Sequence, residues 1–321
     1  MYRNVLFMLL PLASVFLGCG GEGGGGQGAT SGAATSSSSS SSSSGSAPST
    51  ESLDLTLTTG EFDAPPGDSF ECFYSDKITD KEMSLATASG KQGTGGHHVI
   101  VYYTDVQHAP SHHPCDDAEM VSWHQVAAIG NEASGAGIID LPEGLATRVP
   151  PGKQLVLQSH YINTTGVTQK VNDTITVHGV LPSSVKAYVN YFAVVDAGFN
   201  VPAQGTLTHT TTCTVPRDLD TVLMVGHMHE YGKHYKLERL QGDADETLYD
   251  EDWALEYISH PPVVRHTMEQ PFVLTKGDKL RQTCTWDNTT AAPLLFPREM
   301  CVAFFYYFPD AGALDCEQDK P

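Results

Sequence analysis

Ten stretches of this chain alternate apolar and polar side chains with a period of two: Leu53–Thr58, Val99–Tyr103, Leu155–Tyr161, Thr174–Val180, Lys186–Val195, Thr206–Thr214, Thr221–Val225, His234–Leu240, Leu280–Trp286 and Val302–Phe308. Successive side chains on an extended strand fall on opposite faces, whereas an amphipathic helix repeats every 3.6 residues. Clusters of Gly, Pro, Asn and Asp bound these stretches, as expected for half-buried antiparallel strands. Helical periodicity is hard to find. The expected fold class is therefore all-β, as one or two sandwiches or barrels. The roughly 270 residues that carry the strands suffice for one large or two ordinary domains. A turn at Pro182-Ser183-Ser184 separates two runs of strands. It sets the expected boundary between a domain over 52–183 and another over 184–321, with no clear internal repeat.

The chain opens with a single positive charge in Met1-Tyr2-Arg3-Asn4 and a nearly unbroken apolar run from Val5 to Leu17. That run is shorter than the ~20 residues that span a bilayer, so residues 1–18 read as a cleavable export signal. Phe16-Leu17-Gly18-Cys19 resembles a bacterial lipobox, in which Cys19 would carry the lipid. Residues 19–51 are mostly Gly, Ser, Ala and Thr and contain the run Ser36 to Ser44. Such a composition buries too little apolar surface to offset ordering entropy, and it reads as a disordered tether about 30 Å long. The expectation is an exported, lipid-anchored protein on the periplasmic or outer face of a bacterial membrane, touching that membrane through the lipid only. The sequons at Asn163, Asn172 and Asn288 would matter only in a eukaryotic secretory pathway.

A formal net charge of −20, with only 18 Lys and Arg, argues against nucleic acid or an anionic membrane surface as partner. Of seven cysteines, six remain if Cys19 is lipidated: Cys72, Cys115, Cys213, Cys284, Cys301 and Cys316. An even number in an exported chain suggests three disulfides, and the residues alone leave about fifteen pairings open. No two are spaced as C-x-x-C, against a zinc ribbon or a redox pair.

The fourteen histidines are unevenly spread. His97 and His98 follow the glycine-rich Gly93 to Gly96. Adjacent residues of a flat strand face opposite ways, so both reach one metal only if the strand is bulged or twisted there. His160 shares a strand face with Val156, Gln158 and Ile162, and a lone histidine in such a place is usually structural. His227 and His229, at i and i+2, present two imidazoles on one strand face, close enough to chelate an ion. Met300 precedes an apolar strand and would ordinarily be packing; as a ligand its thioether would select copper, above all Cu(I).

Taken in order, HHVIVYY, LVLQSHYIN, HMHEYGKHY, CTWDNTT and EMCVAFFYY resemble the copper type II, ascorbate-dependent monooxygenase family, which includes peptidylglycine α-hydroxylating and dopamine β-monooxygenases. The likeness runs from about Ser52 to Cys316. It implies two antiparallel jelly-roll β-sandwich domains in tandem, each carrying one of two copper ions across a solvent-filled cleft. His97, His98 and His160 match the ligands of the electron-transfer copper, and Gln158 a position near it. His227, His229 and Met300 match the copper on the oxygen and substrate side, where catalysis occurs. His234 has no matched role beyond a supporting one. The resemblance also implies the pairs Cys72–Cys115, Cys213–Cys316 and Cys284–Cys301.

The implied activity is hydroxylation of a C–H bond in a small organic substrate by O2, with ascorbate or another one-electron donor. Three imidazoles suit storage of one electron, whereas two imidazoles and a thioether leave an open position and favour the reduced metal. In the peptide-processing members an arginine two residues before H-x-H holds the substrate carboxylate; Val225 stands there. Val302 and Phe304 replace an asparagine and a tyrosine after the methionine. These exchanges argue against peptide amidation and for a more apolar substrate. The alternative is a lipoprotein that keeps the sandwich and its copper sites for metal handling or surface binding without turnover. A zinc hydrolase on His97, His98 and His160 is disfavoured by the thioether and by the lack of an obvious general base.

Overall fold

The strand Gln154–Asn163 is buried on both faces. Leu155, Leu157 and Tyr161 point into a core with Phe73, Val99 and Ile175. Val156 belongs to a smaller cluster with Cys72, Tyr74 and Trp123, toward the other side. The alternation read from the sequence thus places His160 and Gln158 on the face turned away from the main core. The computed structural model describes residues 53–318 apart from 121, 131–136, 138, 243, 259 and 297. The expected signal 1–18, lipidated Cys19 and tether 19–51 lie outside the described residues.

The chain is all-β, with one short α-helix, Asp117–Met120, and two 3-10 turns, Pro182–Ser184 and Leu255–Ile258, among the described residues. Around Gln154–Asn163 lies a five-stranded sheet in the order Ser111–Pro114, Gly67–Ile78, Gln154–Asn163, Gly96–Thr104, His124–Gly130. A second sheet follows the order Leu55–Thr58, Thr174–Gly179, Met83–Lys91, Leu145–Val149, Ala187–Tyr188, and closes the same core. Residues 190–318 repeat the plan. One sheet runs Val263–Arg265, Leu219–His227, Val302–Phe308, Asn190–Val195, Leu314–Asp315, and the other Glu246–Asp252, Gly232–Leu240, Lys279–Asn288, Gly205–Thr214, Glu317–Gln318. Their core centres on fully buried Trp286, Tyr235, Phe192 and Phe305. Most pairings are antiparallel, as the alternation requires; Ala187–Tyr188 and Leu314–Asp315 add short parallel edges.

Lys186–Val195, expected as one strand, is two. Ala187–Tyr188 pairs with Leu145–Val149, and Asn190–Val195 pairs with Val302–Phe308. Val189, between them, is buried in an apolar cluster that also contains Leu145, Val222, Leu223 and Tyr306. A single alternating run therefore crosses from one sheet system to the other, with Val189 buried at the crossing. That cluster joins the two systems within one compact unit over 51–321.

Two sequons close equivalent strands. Asn163 donates to the Ala64 and Val167 carbonyls and accepts from Thr165, while Asn288 donates to those of Pro202 and Ala292 and accepts from Thr290. Both asparagines are buried, so they serve as turn residues. Disulfides join Cys72–Cys115, Cys213–Cys316 and Cys284–Cys301, the pairs implied by the resemblance. Three such bonds suit a periplasmic or extracellular protein.

Candidate metal centre

His98 stands directly opposite His160, and Gly96 opposite Tyr161, so the register slips by one residue at His97. This is the bulge that two adjacent metal-facing histidines require. Gly96 makes it possible: a Cβ there would lie 2.5 Å from Cβ of Gln92. Phe70, opposite His160 on the other neighbouring strand, stacks on its ring with centroids 3.8 Å apart. Candidate ligand atoms of His97, His98 and His160 all lie within 4.8 Å of one another. The Nδ1 atoms of His97 and His98 approach to 2.9 Å, close enough to share a proton or an ion.

On the facing sheet His227 pairs with Val302. Carrying that register past the strand ends brings Met300 level with His229. Gly226 precedes the pair because Tyr235 packs against it; a Cβ would meet that ring at 2.7 Å. The peptide N–H groups of His229 and Tyr231, and the indole N–H of Trp286, all donate to the Glu299 carboxylate, at 3.1, 2.8 and 3.0 Å. One buried side chain thereby fixes the H-x-H turn against the segment bearing Met300.

The two groups meet. Ring centroids are 5.0 Å apart for His227–His229, 5.9 Å for His160–His229, 6.1 Å for His97–His229 and 6.4 Å for His97–His227. The solvent-filled cleft implied by the resemblance is closed here, and the two histidine groups form one imidazole cluster. Its physical cause is the packing of the two sheet systems through Val189, Leu223 and Tyr306, together with a chain of polar contacts. His160 Nε2 donates to Asp68 Oδ1 at 2.5 Å, Asp68 Oδ2 pairs with Arg298 at 3.2 Å, and His229 Nδ1 donates to the Arg298 carbonyl at 3.0 Å. Arg298 is itself held by Glu230.

Those bonds use one ring nitrogen each of His160 and His229 and leave the other free. His160 Nδ1, His229 Nε2 and His97 Nε2 are buried without a hydrogen-bond partner among protein atoms. Each such group costs about 1–3 kcal/mol when left unsatisfied, and a cation accepting their lone pairs would remove that cost. Burial, followed by the neighbouring imidazoles, pushes His97, His98 and His227 well below the ordinary histidine value, and His229 down to about 4. Neutral rings with free lone pairs are the form a metal needs. Burial pushes Asp68 up, but the bond from His160 and the charge of Arg298 outweigh it and hold the carboxyl below its usual range. Burial raises Glu299 to about 7 despite its three donors.

Met300, His98, His227, His229 and Gln158 border one cavity of about 330 Å³ between the sheets. Gln158 is within hydrogen-bonding reach of His98 and donates to Met120 Sδ at 2.7 Å. His234 turns away from the cluster to Asp250 and Asp252, at 3.1 and 3.0 Å on the adjacent strand, so it gives no support there. Sequence reasoning did not find Asp68, Arg298, Glu230 or Glu299. Arg298-Glu299 beside Met300 was a visible cue, whereas Asp68 follows a plain turn glycine.

Fold and site together define an all-β protein with a largely buried histidine cluster fit to hold a soft or borderline metal ion. Residues 188–321 match the model of the copper type II ascorbate-dependent monooxygenase C-terminal domain. No curated protein matches the chain. Among solved structures it resembles a recombinant peptide N-glycanase F, at 10% identity over 82% of this chain and 91% of that one, with a TM-score of 0.31. It also resembles a protein of the Sulfolobus turreted icosahedral virus, at 9% identity over 79% of this chain and 56% of that one, with a TM-score of 0.22. These structural likenesses are too slight to bear on function.

Proposed function

We propose that the chain is a copper-dependent monooxygenase that hydroxylates a C–H bond of a small organic molecule. The observation that carries this reading is the convergence of His97, His98 and His160 with His227 and His229, beside a cavity that His98, His227, His229 and Met300 border. The match of residues 188–321 supports copper over other metals, as does the thioether.

In this reading 52–183 supplies the three-imidazole site and 184–321 the site of two imidazoles and a thioether. Copper at the two sites would supply single-electron chemistry: two electrons, ultimately from ascorbate, and two protons convert R–H and O2 to R–OH and water. The protein holds four imidazoles neutral by burial, orients His160 through Asp68 and His229 through the Arg298 carbonyl, and encloses the substrate away from bulk water. Export through residues 1–18 and lipidation of Cys19 belong to the same reading; incorporation of labelled palmitate, lost in Cys19→Ala, tests the anchor.

The test of activity is incubation of copper-loaded protein with ascorbate, ¹⁸O2 and a panel of neutral small molecules. One ¹⁸O atom should enter a product, and incorporation should vanish in His229→Ala and Met300→Ala. Copper uptake without incorporation across the panel would favour a copper-binding protein without turnover.

A further inference from the structure

The cavity beside the histidines is a slot that runs along the strands. His98, Ile100 and Tyr102 lie at alternate positions of Gly96–Thr104, and all three line it. Leu223, Val225 and His227 do the same from the facing sheet. Tyr306 sits opposite Leu223, and Gln125 opposite Tyr102, so the tyrosines share the end remote from the histidines. Gln125 donates to the Tyr306 hydroxyl at 3.4 Å. Tyr102 lies four positions beyond His98, which makes the slot about 13 Å long at ~3.3 Å per residue.

Apart from the imidazoles, every described residue lining the slot is uncharged. An ion entering it would lose its hydration and find no countercharge, a penalty of several kcal/mol. The middle is walled by Ile100, Val225, Val263 and Phe304. Polar side chains gather at the two ends: Gln158 with the histidines, and Gln125 with the two phenols. Burial holds Tyr102 and Tyr306 above the ordinary phenol range, so both remain protonated donors at neutral pH.

We propose that this slot binds an elongated, neutral molecule with an apolar body and one hydroxyl or carbonyl head, the head at Tyr102, Tyr306 and Gln125 and the opposite carbon end at His98, His227 and Met300. The assignment rests on the monooxygenase reading in taking that molecule as the substrate. A neutral apolar body uses the whole length of the slot, and a single oxygen head matches its only polar end away from the histidines. Peptide carboxylates and protonated amines are excluded by the same walls.

The test is calorimetric titration of the metal-free full chain with three probes of one shape: 4-pentylbenzamide, 4-pentylbenzoate and 4-pentylbenzylammonium. The amide should bind at least about tenfold tighter than either ion, a difference of about 1.4 kcal/mol. Ile100→Trp, which fills the middle of the slot, should abolish amide binding while leaving copper uptake unchanged. Tyr102→Phe with Tyr306→Phe should weaken the amide about fivefold, and Leu223→Arg should turn the preference toward the benzoate. Equal or tighter binding of an ion by the wild type, no binding of any probe, or amide binding unmoved by Ile100→Trp would each overturn the proposal. The titration needs neither copper nor oxygen. Amide selectivity in a chain that takes up no copper would sink the monooxygenase reading and leave the slot's preference standing; copper uptake with benzoate preference would do the reverse.

Discussion

Arg298 reaches Asp68 at 3.2 Å, so the residue two before Met300 is ion-paired to the carboxylate that orients His160. The backbone carbonyl of the same arginine takes the Nδ1 proton of His229. One residue thus touches the supports of both histidine groups, and the pair ties one sheet system to the other.

Asp68→Asn retains the shape of the side chain but removes its charge, and with it the pull on Arg298. Outer partners of this kind are worth about 10–100-fold in metal affinity. Copper competition against a chelator should show a loss of that size at the three-imidazole site, with Asp68→Glu recovering part of it. Unchanged affinity in Asp68→Asn would reduce the carboxylate to packing.

The buried imidazoles set a pH dependence. His229 titrates near 4 in the folded chain against an ordinary 6.5, so between those values the unfolded chain binds more protons than the folded one. Stability then rises with pH through that window and is lost as pH falls from 6.5 toward 4. His97, His98 and His227 act in the same sense. Glu299, raised from 4.5 to about 7, acts in the opposite sense between those values, one group against four. The urea midpoint of metal-free protein should fall from pH 7 to pH 5, and less so in His227→Leu. A midpoint that rises on acidification would contradict the burial of neutral rings.

Ring centroids of the two histidine groups lie 5.9 to 6.4 Å apart across the sheets. Two Cu(II) ions bound there should couple magnetically. The electron paramagnetic resonance spectrum at two equivalents should be broadened and integrate to fewer than two isolated spins. Two sharp, independent signals would mean that the groups separate when loaded.

The Cys284–Cys301 bond closes a segment whose ends are 17 residues apart and which contains Met300. Loop entropy for that length corresponds to about 3 kcal/mol. Cys284→Ala with Cys301→Ala should lower unfolding free energy by about that amount. Cu(I) binding at the site with Met300 should suffer more than binding at the three-imidazole site; equal losses would show that the bond has no local role.

All ten alternating stretches lie on or overlap strands. Alternation was silent in Glu71-Cys72-Phe73-Tyr74 of Gly67–Ile78, which are buried in succession and carry no alternation of residue type. Small side chains hid Met83–Lys91, where Ala, Ser and Gly give little apolar contrast. The histidines were visible as residue types, and the bulge that unites His97 and His98 was foreshadowed by Gly93 to Gly96. Closure of the two groups into one cluster was not visible, because it depends on Asp68 and Arg298 meeting 230 positions apart in the chain.

The most direct test of the central claim is copper stoichiometry on purified, reconstituted protein, in wild type, His160→Ala and Met300→Ala. The expected result is two coppers per chain in the wild type, with His160→Ala losing one site and Met300→Ala losing or markedly weakening the other for Cu(I). Zinc bound in preference to copper, or no copper above background in the wild type, would contradict it.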